Sequence, residues 1–247
     1  RTPLYLFNPD NDLALANFSA NYTPPASALK IARDLAIIPL WYAPDGTKIV
    51  AEGDENNRFL QSIQHLFSIN ASLIPFSEIG RVLTGKIVPW GWNPSLRKKL
   101  SEVNVREDDL PSLETLKRLR EYSGRQYAVK TLRELRAESD FFCGESHFFT
   151  TLENVLLFLA SQSGNCVLKM PNSGSGKGLI WILGTITDKQ IDWVKRVLKI
   201  QGGVVAEPML NKARDFAMEF YADNGNIRFA GYSLFRSAAS GAYLGNE

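Results

Sequence analysis

The fifteen residues Val167-Leu168-Lys169-Met170-Pro171-Asn172-Ser173-Gly174-Ser175-Gly176-Lys177-Gly178-Leu179-Ile180-Trp181 constrain this chain more than any others. Two apolar, β-like runs flank a loop of small residues, and that pattern predicts antiparallel strands joined by a Gly-rich hairpin. Gly and Ser let backbone N–H groups approach a polyanion without Cβ obstruction. The hydroxyls of Ser173 and Ser175 and the ammonium groups of Lys169 and Lys177 add donors of matching sign. The chemistry points to a nucleotide. The plain alternative is a surface turn with solvent-facing lysines.

Gly176-Lys177 is not part of a P-loop. That pattern needs a glycine where the chain has Pro171, and Ser or Thr where it has Gly178, so no hydroxyl is placed there for Mg²⁺. A P-loop also feeds a helix, whereas Leu179 to Leu183 is apolar and stops at Gly184.

Downstream, Gly202 to Leu210 reads as a short buried strand ending in the acid Glu207 and an apolar bend. Arg214 to Asp223 and Asn226 to Ser237 alternate in polarity around Asp223-Asn224-Gly225-Asn226, which is hairpin chemistry. Together these segments resemble the ATP-grasp superfamily. In that family the lysine on the strand before the Gly-rich loop contacts nucleotide phosphates, which implies Lys169. The acid closing the later strand faces the adenine amino group, which implies Glu207. The bend after it gives the adenine edge a carbonyl and an N–H, implying Pro208 and Leu210; proline is tolerable there because it lacks only a donor. An acid at the start of the next strand binds the ribose hydroxyls, and Asp215 matches by spacing. Ordinary strand-end solvation is the alternative for Glu207 and Asp215.

The segment before the loop fits the same frame. Tyr127, Thr131, Leu132 and Leu135 are spaced for an amphipathic helix opened by Ser123. It resembles the family's entry helix, whose first basic residue reaches the phosphates in several members, and this implies Arg125; a solvated helix-end charge is the alternative. Thr150 to Glu153 forms a capping box ahead of a buried helix, and Thr187 with Gln190 forms another. The resemblance runs from about Tyr122 to Glu247.

In the family, ATP is used with Mg²⁺, held by an acid and a later Glu-x-Asn element on the last strands. After Asn226 the only carboxylate here is Glu247, so the metal ligands stay unassigned. A truncated core is expected, with a degenerate domain as the other possibility. Arg236, followed by Ser237 and Ser240, is the candidate for gripping a carboxylate or acylphosphate, because a guanidinium fork matches either anion.

Composition excludes several classes. With 45% hydrophobic and 22% charged residues over 247 positions, the chain is globular. A net charge of +2 gives no reason to invoke nucleic acid. Cys143 and Cys166 lie far apart in dissimilar settings, so a reducing compartment fits better than a disulfide framework. His65 and His147 lack partners at zinc-ligand spacing. No signal peptide and no bilayer-length apolar run is visible, so a cytoplasmic protein with no membrane partner is expected.

The first half alternates strands and helices: strands at Leu4–Phe7, Ile37–Tyr42, Ser72–Ile74 and Lys86–Val88, helices at Ser27–Ala36 and Asn56–Phe67. Asn93 and Pro94 cap and open a further helix. The loop Asn8-Pro9-Asp10-Asn11-Asp12 follows the first strand; it suits hydrogen bonding to a polar substrate, or an Asx-capped turn. Pro89-Trp90-Gly91-Trp92 ends another strand.

The expected fold class is α/β, becoming α+β in the C-terminal half. By the resemblance, residues 1–110 form a Rossmann-like pre-ATP-grasp unit and 111–247 the ATP-grasp domain, with a small lobe at about 122–200 and a second from about 203. The implied activity is ATP-dependent ligation, in which a carboxylate is activated as an acylphosphate and attacked by an amine or thiol. The alternatives are a catalytically inactive nucleotide-binding or scaffolding module, and an α/β sugar- or phosphate-binding protein.

Overall fold

Alternation along the first strand sets the architecture of the N-terminal half. Leu4 and Leu6 point to one face and Tyr5 to the other, so a sheet built on this strand needs cover on both sides. The computed structural model describes residues 2–173, 178–238 and 241–246, and the chain divides into two compact units, Arg1–Ser123 and Gly124–Glu247. The polar run before residue 111 thus lies one helix ahead of this division.

In the first unit β1 (Leu4–Leu6) is followed by α1 (Asn11–Asn17), α2 (Ala26–Asp34), β2 (Thr47–Val50), α3 (Asp54–Phe67) and β3 (Ala71–Ile74). Then come α4 (Ile79–Val82), β4 (Ile87–Pro89), α5 (Pro94–Glu102) and α6 (Leu113–Ser123). The four strands form one parallel sheet in the order β3-β2-β1-β4. Leu4, Leu6, Val50, Ile74 and Ile87 pack against Leu96 and Leu100 of α5 on one face. Ile49 and Tyr5 pack with Leu40, Leu60 and Ile63 on the other. Asn93 caps α5 as expected, its side chain accepting from the Leu96 N–H at 2.9 Å.

One expected strand is absent. The apolar run at Ile37–Tyr42 forms a 3₁₀ turn at Ile38–Trp41, because Pro39 fixes φ in a range that suits the turn and has no N–H for a central ladder. Residues Thr47 to Val50, on which no expectation rested, supply the strand instead.

The second unit opens with α7 (Arg125–Glu138), then β5 (His147–Phe149), α8 (Leu152–Ser161), β6 (Cys166–Lys169), β7 (Leu179–Ile182), α9 (Asp188–Gln201) and β8 (Val204–Pro208). These strands make an antiparallel sheet ordered β5-β8-β6-β7. Cys166, Leu168, Ile182, Val204 and Ala206 face α8 and α9 and bury against Val155, Phe158, Val194 and Val197. The register then leaves Val167, Lys169, Val205 and Glu207 together on the opposite face. Both cysteines are free thiols, Cys143 exposed and Cys166 buried.

Two helix starts differ from expectation. Ser123 closes α6 by donating to Leu119 O at 2.7 Å, and Gly124 precedes α7. Thr151 rather than Thr150 caps α8, accepting from Asn154 N at 3.3 Å. The Thr187–Gln190 capping box forms in full.

The chain continues through β9 (Asp215–Asp223), β10 (Asn226–Ser237) and β11 (Tyr243–Asn246), an antiparallel sheet ordered β11-β10-β9. Asn224 and Gly225 adopt φ of 49° and 82°, the paired left-handed values of a tight hairpin turn. Phe216, Met218 and Phe220 stand beside Leu234, Tyr232 and Phe229 on one face, all exposed. Among the described residues no helix is long and apolar enough to cross a membrane.

Candidate functional site

The face of the β5-β8-β6-β7 sheet turned away from α8 and α9 brings together two of the charged residues singled out in the sequence. Lys169 pairs across from Val205, and Glu207 across from Val167, so the two side chains are diagonal neighbours on one face. The Lys169 ammonium donates to Glu207 Oε2 at 2.5 Å. Ser146, just ahead of β5, donates its hydroxyl to Glu207 Oε1 at 2.9 Å. Both oxygens of the carboxylate are therefore engaged, from two different elements.

Arg125 fastens the entrance of the Gly/Ser segment. Its backbone N–H donates to Pro171 O at 2.9 Å. Its guanidinium donates to Met170 O and Ser173 Oγ, each at 2.7 Å. Gln201, at the end of α9, pairs with both backbone groups of Asn172, at 2.8 and 3.0 Å. On the far side Met170 N–H donates to Gly178 O at 2.8 Å. Glycine is required at 178 because a Cβ there would lie 2.1 Å from Ser173 Oγ. Ser175 and Lys177 lie outside the described residues, as do Gly174 and Gly176.

Beyond Glu207, Pro208 pairs with Cys166, and Met209 N–H donates to Asn165 O at 2.8 Å. Leu210 then emerges as an exposed residue. Asp215 begins β9, where its Oδ2 accepts from Lys212 Nζ at 2.8 Å and from Ser237 Oγ at 2.6 Å. The Lys212 ammonium, and after it the Ser237 hydroxyl, hold the Asp215 carboxyl below the ordinary carboxylate range. Arg236 lies on β10 opposite Gly245, next to a shift of register. Among the described residues no hydrogen bond or ion pair joins Asp215 to Lys169 or Glu207.

Two residues that build this site carried no signal in the sequence. Ser146 sits in a polar turn without a motif, and Gln201 reads as an ordinary helix-end amide. A groove of about 630 Å³ runs beside Ser146, lined also by Gln126, Lys130, Arg133 and Arg136 of α7 and by Phe148.

In the first unit the polar loop after β1 is stitched to the loop after β4. Asn8 Nδ2 donates to Gly91 O at 2.8 Å, and Asn93 Nδ2 donates to Asn11 Oδ1 at 3.0 Å. Neither Asn8 nor Asp10 caps α1 through a side chain. Trp90 is exposed and makes an edge contact with Phe7 at 5.4 Å between ring centroids.

No family model and no curated protein matches the sequence. Solved structures do. N5-carboxyaminoimidazole synthetase from Staphylococcus aureus, complexed with ADP, superposes with a TM-score of 0.51 at 13% identity over 98% of this chain. Phosphoribosylamine–glycine ligase from Thermotoga maritima gives 0.48 at 12% over 95%. L-amino acid ligase from Bacillus licheniformis gives 0.43 at 13% over 97%. The chain spans 56%, 50% and 52% of those three chains respectively. A parallel α/β sheet followed by two antiparallel sheets, superposing on the first of these along almost the whole chain, is the ATP-grasp fold, and this chain has it.

Proposed function

We propose that this chain carries the nucleotide site of an ATP-dependent ligase that activates a carboxylate as an acylphosphate for attack by an amine or thiol. The observation that carries the reading is the part-buried Lys169–Glu207 pair, beside the Gly/Ser segment anchored by Arg125. A lysine and an acid side by side offer a donor for phosphate oxygens and an acceptor for a base amino group. The two side chains satisfy each other, so binding a nucleotide would exchange this contact for contacts with the ligand.

The remaining roles follow the same logic. Arg125 and Ser173, with Ser175 and Lys177, donate to phosphates. The Pro208 carbonyl and the Leu210 N–H meet the adenine edge. Asp215 accepts from ribose hydroxyls, and Arg236 grips the carboxylate or acylphosphate. Phosphoryl transfer to a carboxylate oxygen gives a phosphate leaving group, and fixed positive charge stabilises the transferring phosphoryl. Ligands for Mg²⁺, which the resemblance implies, stay unassigned: among the described residues no group of three or more His, Cys, Asp or Glu stands together. That observation favours, as second reading, a catalytically inactive nucleotide-binding module sharing the same nucleotide site.

Lys169→Ala is expected to weaken binding of a nonhydrolysable ATP analogue by about 1–3 kcal/mol, the range for charge-assisted hydrogen bonds. Isothermal titration measures it, and equal affinity in both proteins would overturn the site. ATP consumption across a panel of carboxylates and amines separates the two readings: turnover selects the ligase, binding without turnover the inactive module.

A further inference from the structure

Glu207 is held by two donors that differ in what nucleotide binding does to them. Lys169 comes from the strand entering the Gly/Ser segment and is the group that a phosphate would draw away. Ser146 approaches from the opposite side of β8, through the β5 edge. It lies one residue ahead of β5. The register His147↔Ala206, Phe148↔Val205, Phe149↔Val204 fixes the strand that follows it. Phe148 is seated against Gly203, where a Cβ would lie 2.1 Å from the ring. A backbone set in this way keeps Ser146 within reach of Glu207, to which its hydroxyl donates at 2.9 Å.

We infer that Ser146 is a positioning residue for base recognition: by holding Glu207 Oε1 it keeps the carboxylate aimed when Lys169 turns to phosphate, and so sets discrimination for a purine nucleotide bearing an amino donor over one bearing a carbonyl. The inference rests on the nucleotide reading above. An unheld carboxylate on a strand end rotates among several orientations, and each rotamer that turns away from the base lowers affinity for the amino-bearing purine. A purine with a carbonyl at the same position offers the aimed carboxylate no donor there. Loss of Ser146 should therefore change the two affinities unequally, which a general loss of structure would not do.

ATP and inosine triphosphate are suitable probes, because in the second a carbonyl replaces the amino group of the base and N1 carries a hydrogen in place of a lone pair. For Ser146→Ala the affinity for ATP should fall about five- to tenfold, the equivalent of one hydrogen bond, with that for inosine triphosphate unchanged. Ser146→Thr, which keeps the hydroxyl, should restore the wild-type ratio, and Ser146→Cys, of similar size with a weak donor, should fall between. Because Ser146 lines the groove beside α7, truncation opens no closed cavity. A ratio unchanged in Ser146→Ala and Ser146→Cys, with the wild type binding ATP, overturns the positioning role and leaves the nucleotide site standing. A wild type that binds neither nucleotide overturns both.

Discussion

Asp215 closes a small triangle of side chains at the start of β9. Lys212 Nζ donates to it and also to Ser237 Oγ, at 2.8 and 2.6 Å, and the Ser237 hydroxyl donates to the same carboxylate. Each contact favours the ionised form, so the folded-state pKa lies below that of the unfolded chain. The triangle therefore stabilises the folded state at neutral pH. This contribution fades as pH falls from about 4, the ordinary value, through the lowered pKa. Lys212→Met removes the largest cause of the shift, and the carboxyl titration of Asp215, followed by carbon-detected NMR, should move up toward the ordinary value. A titration that stays in place would mean that Ser237 alone sets it. Under the proposed reading, a ribose at Asp215 would compete with the same two donors, as a base would compete for Glu207.

At the scale of elements, the two antiparallel sheets of the second unit differ in how they are held. β6 and β8 bury Cys166, Val167, Leu168, Val204, Val205 and Ala206, whereas no residue of β9 or β10 is buried. The β9–β10 hairpin rests on ladder bonds, cross-strand aromatic pairs such as Phe220–Phe229 at 5.6 Å, and its turn. Amide exchange should accordingly be slowest in β6 and β8 and much faster in β9 and β10; uniform protection would contradict this. Gly225→Ala, at φ 82°, should destabilise the hairpin by about 1–2 kcal/mol, the cost of a left-handed conformation for a residue with a Cβ. Features such as this turn were legible in the sequence because they are local: the Asn-Gly pair, the Thr187–Gln190 box and the Asn93-Pro94 cap each state their geometry within a few residues. The placement of Lys169 and Glu207 on separate strands was legible through the family resemblance, but their direct pairing was not, since register between β6 and β8 depends on residues 38 apart. Ser146 and Gln201 were invisible for the same reason. The run at Ile37–Tyr42 misled because apolar content does not separate a strand from a buried turn, and Pro39 decided between them.

On the scale of the whole molecule, each unit has its own buried clusters: those of the first draw only on residues up to Leu110, and that of the second begins at Val155. The helix α6 is the segment whose allegiance matters. Its Leu116 is fully buried. Arg120 on the same helix donates to Ala16 O at 2.9 Å, a carbonyl in the last turn of α1, and its guanidinium lies 5.3 Å from the Phe18 ring centroid. A cation at the end of α1 answers both the unpaired carbonyls and the negative end of the helix dipole. These contacts tie α6 to the α/β unit, and Arg97 adds to them by donating to Pro111 O at 2.9 Å, just before the helix begins. We therefore place the working boundary after Ser123 and before the Arg125 that fastens the Gly/Ser segment. A fragment of residues 1–123 should unfold cooperatively and at a higher temperature than one of residues 1–110, which lacks Leu116 and Arg120. Leu116→Ala in the longer fragment should cost about 2–5 kcal/mol, as for a fully buried leucine. Circular dichroism melts of the three proteins measure both differences. Equal melting temperatures for the two fragments would assign α6 to the unit that follows it, and the start of that second unit would move back to residue 111.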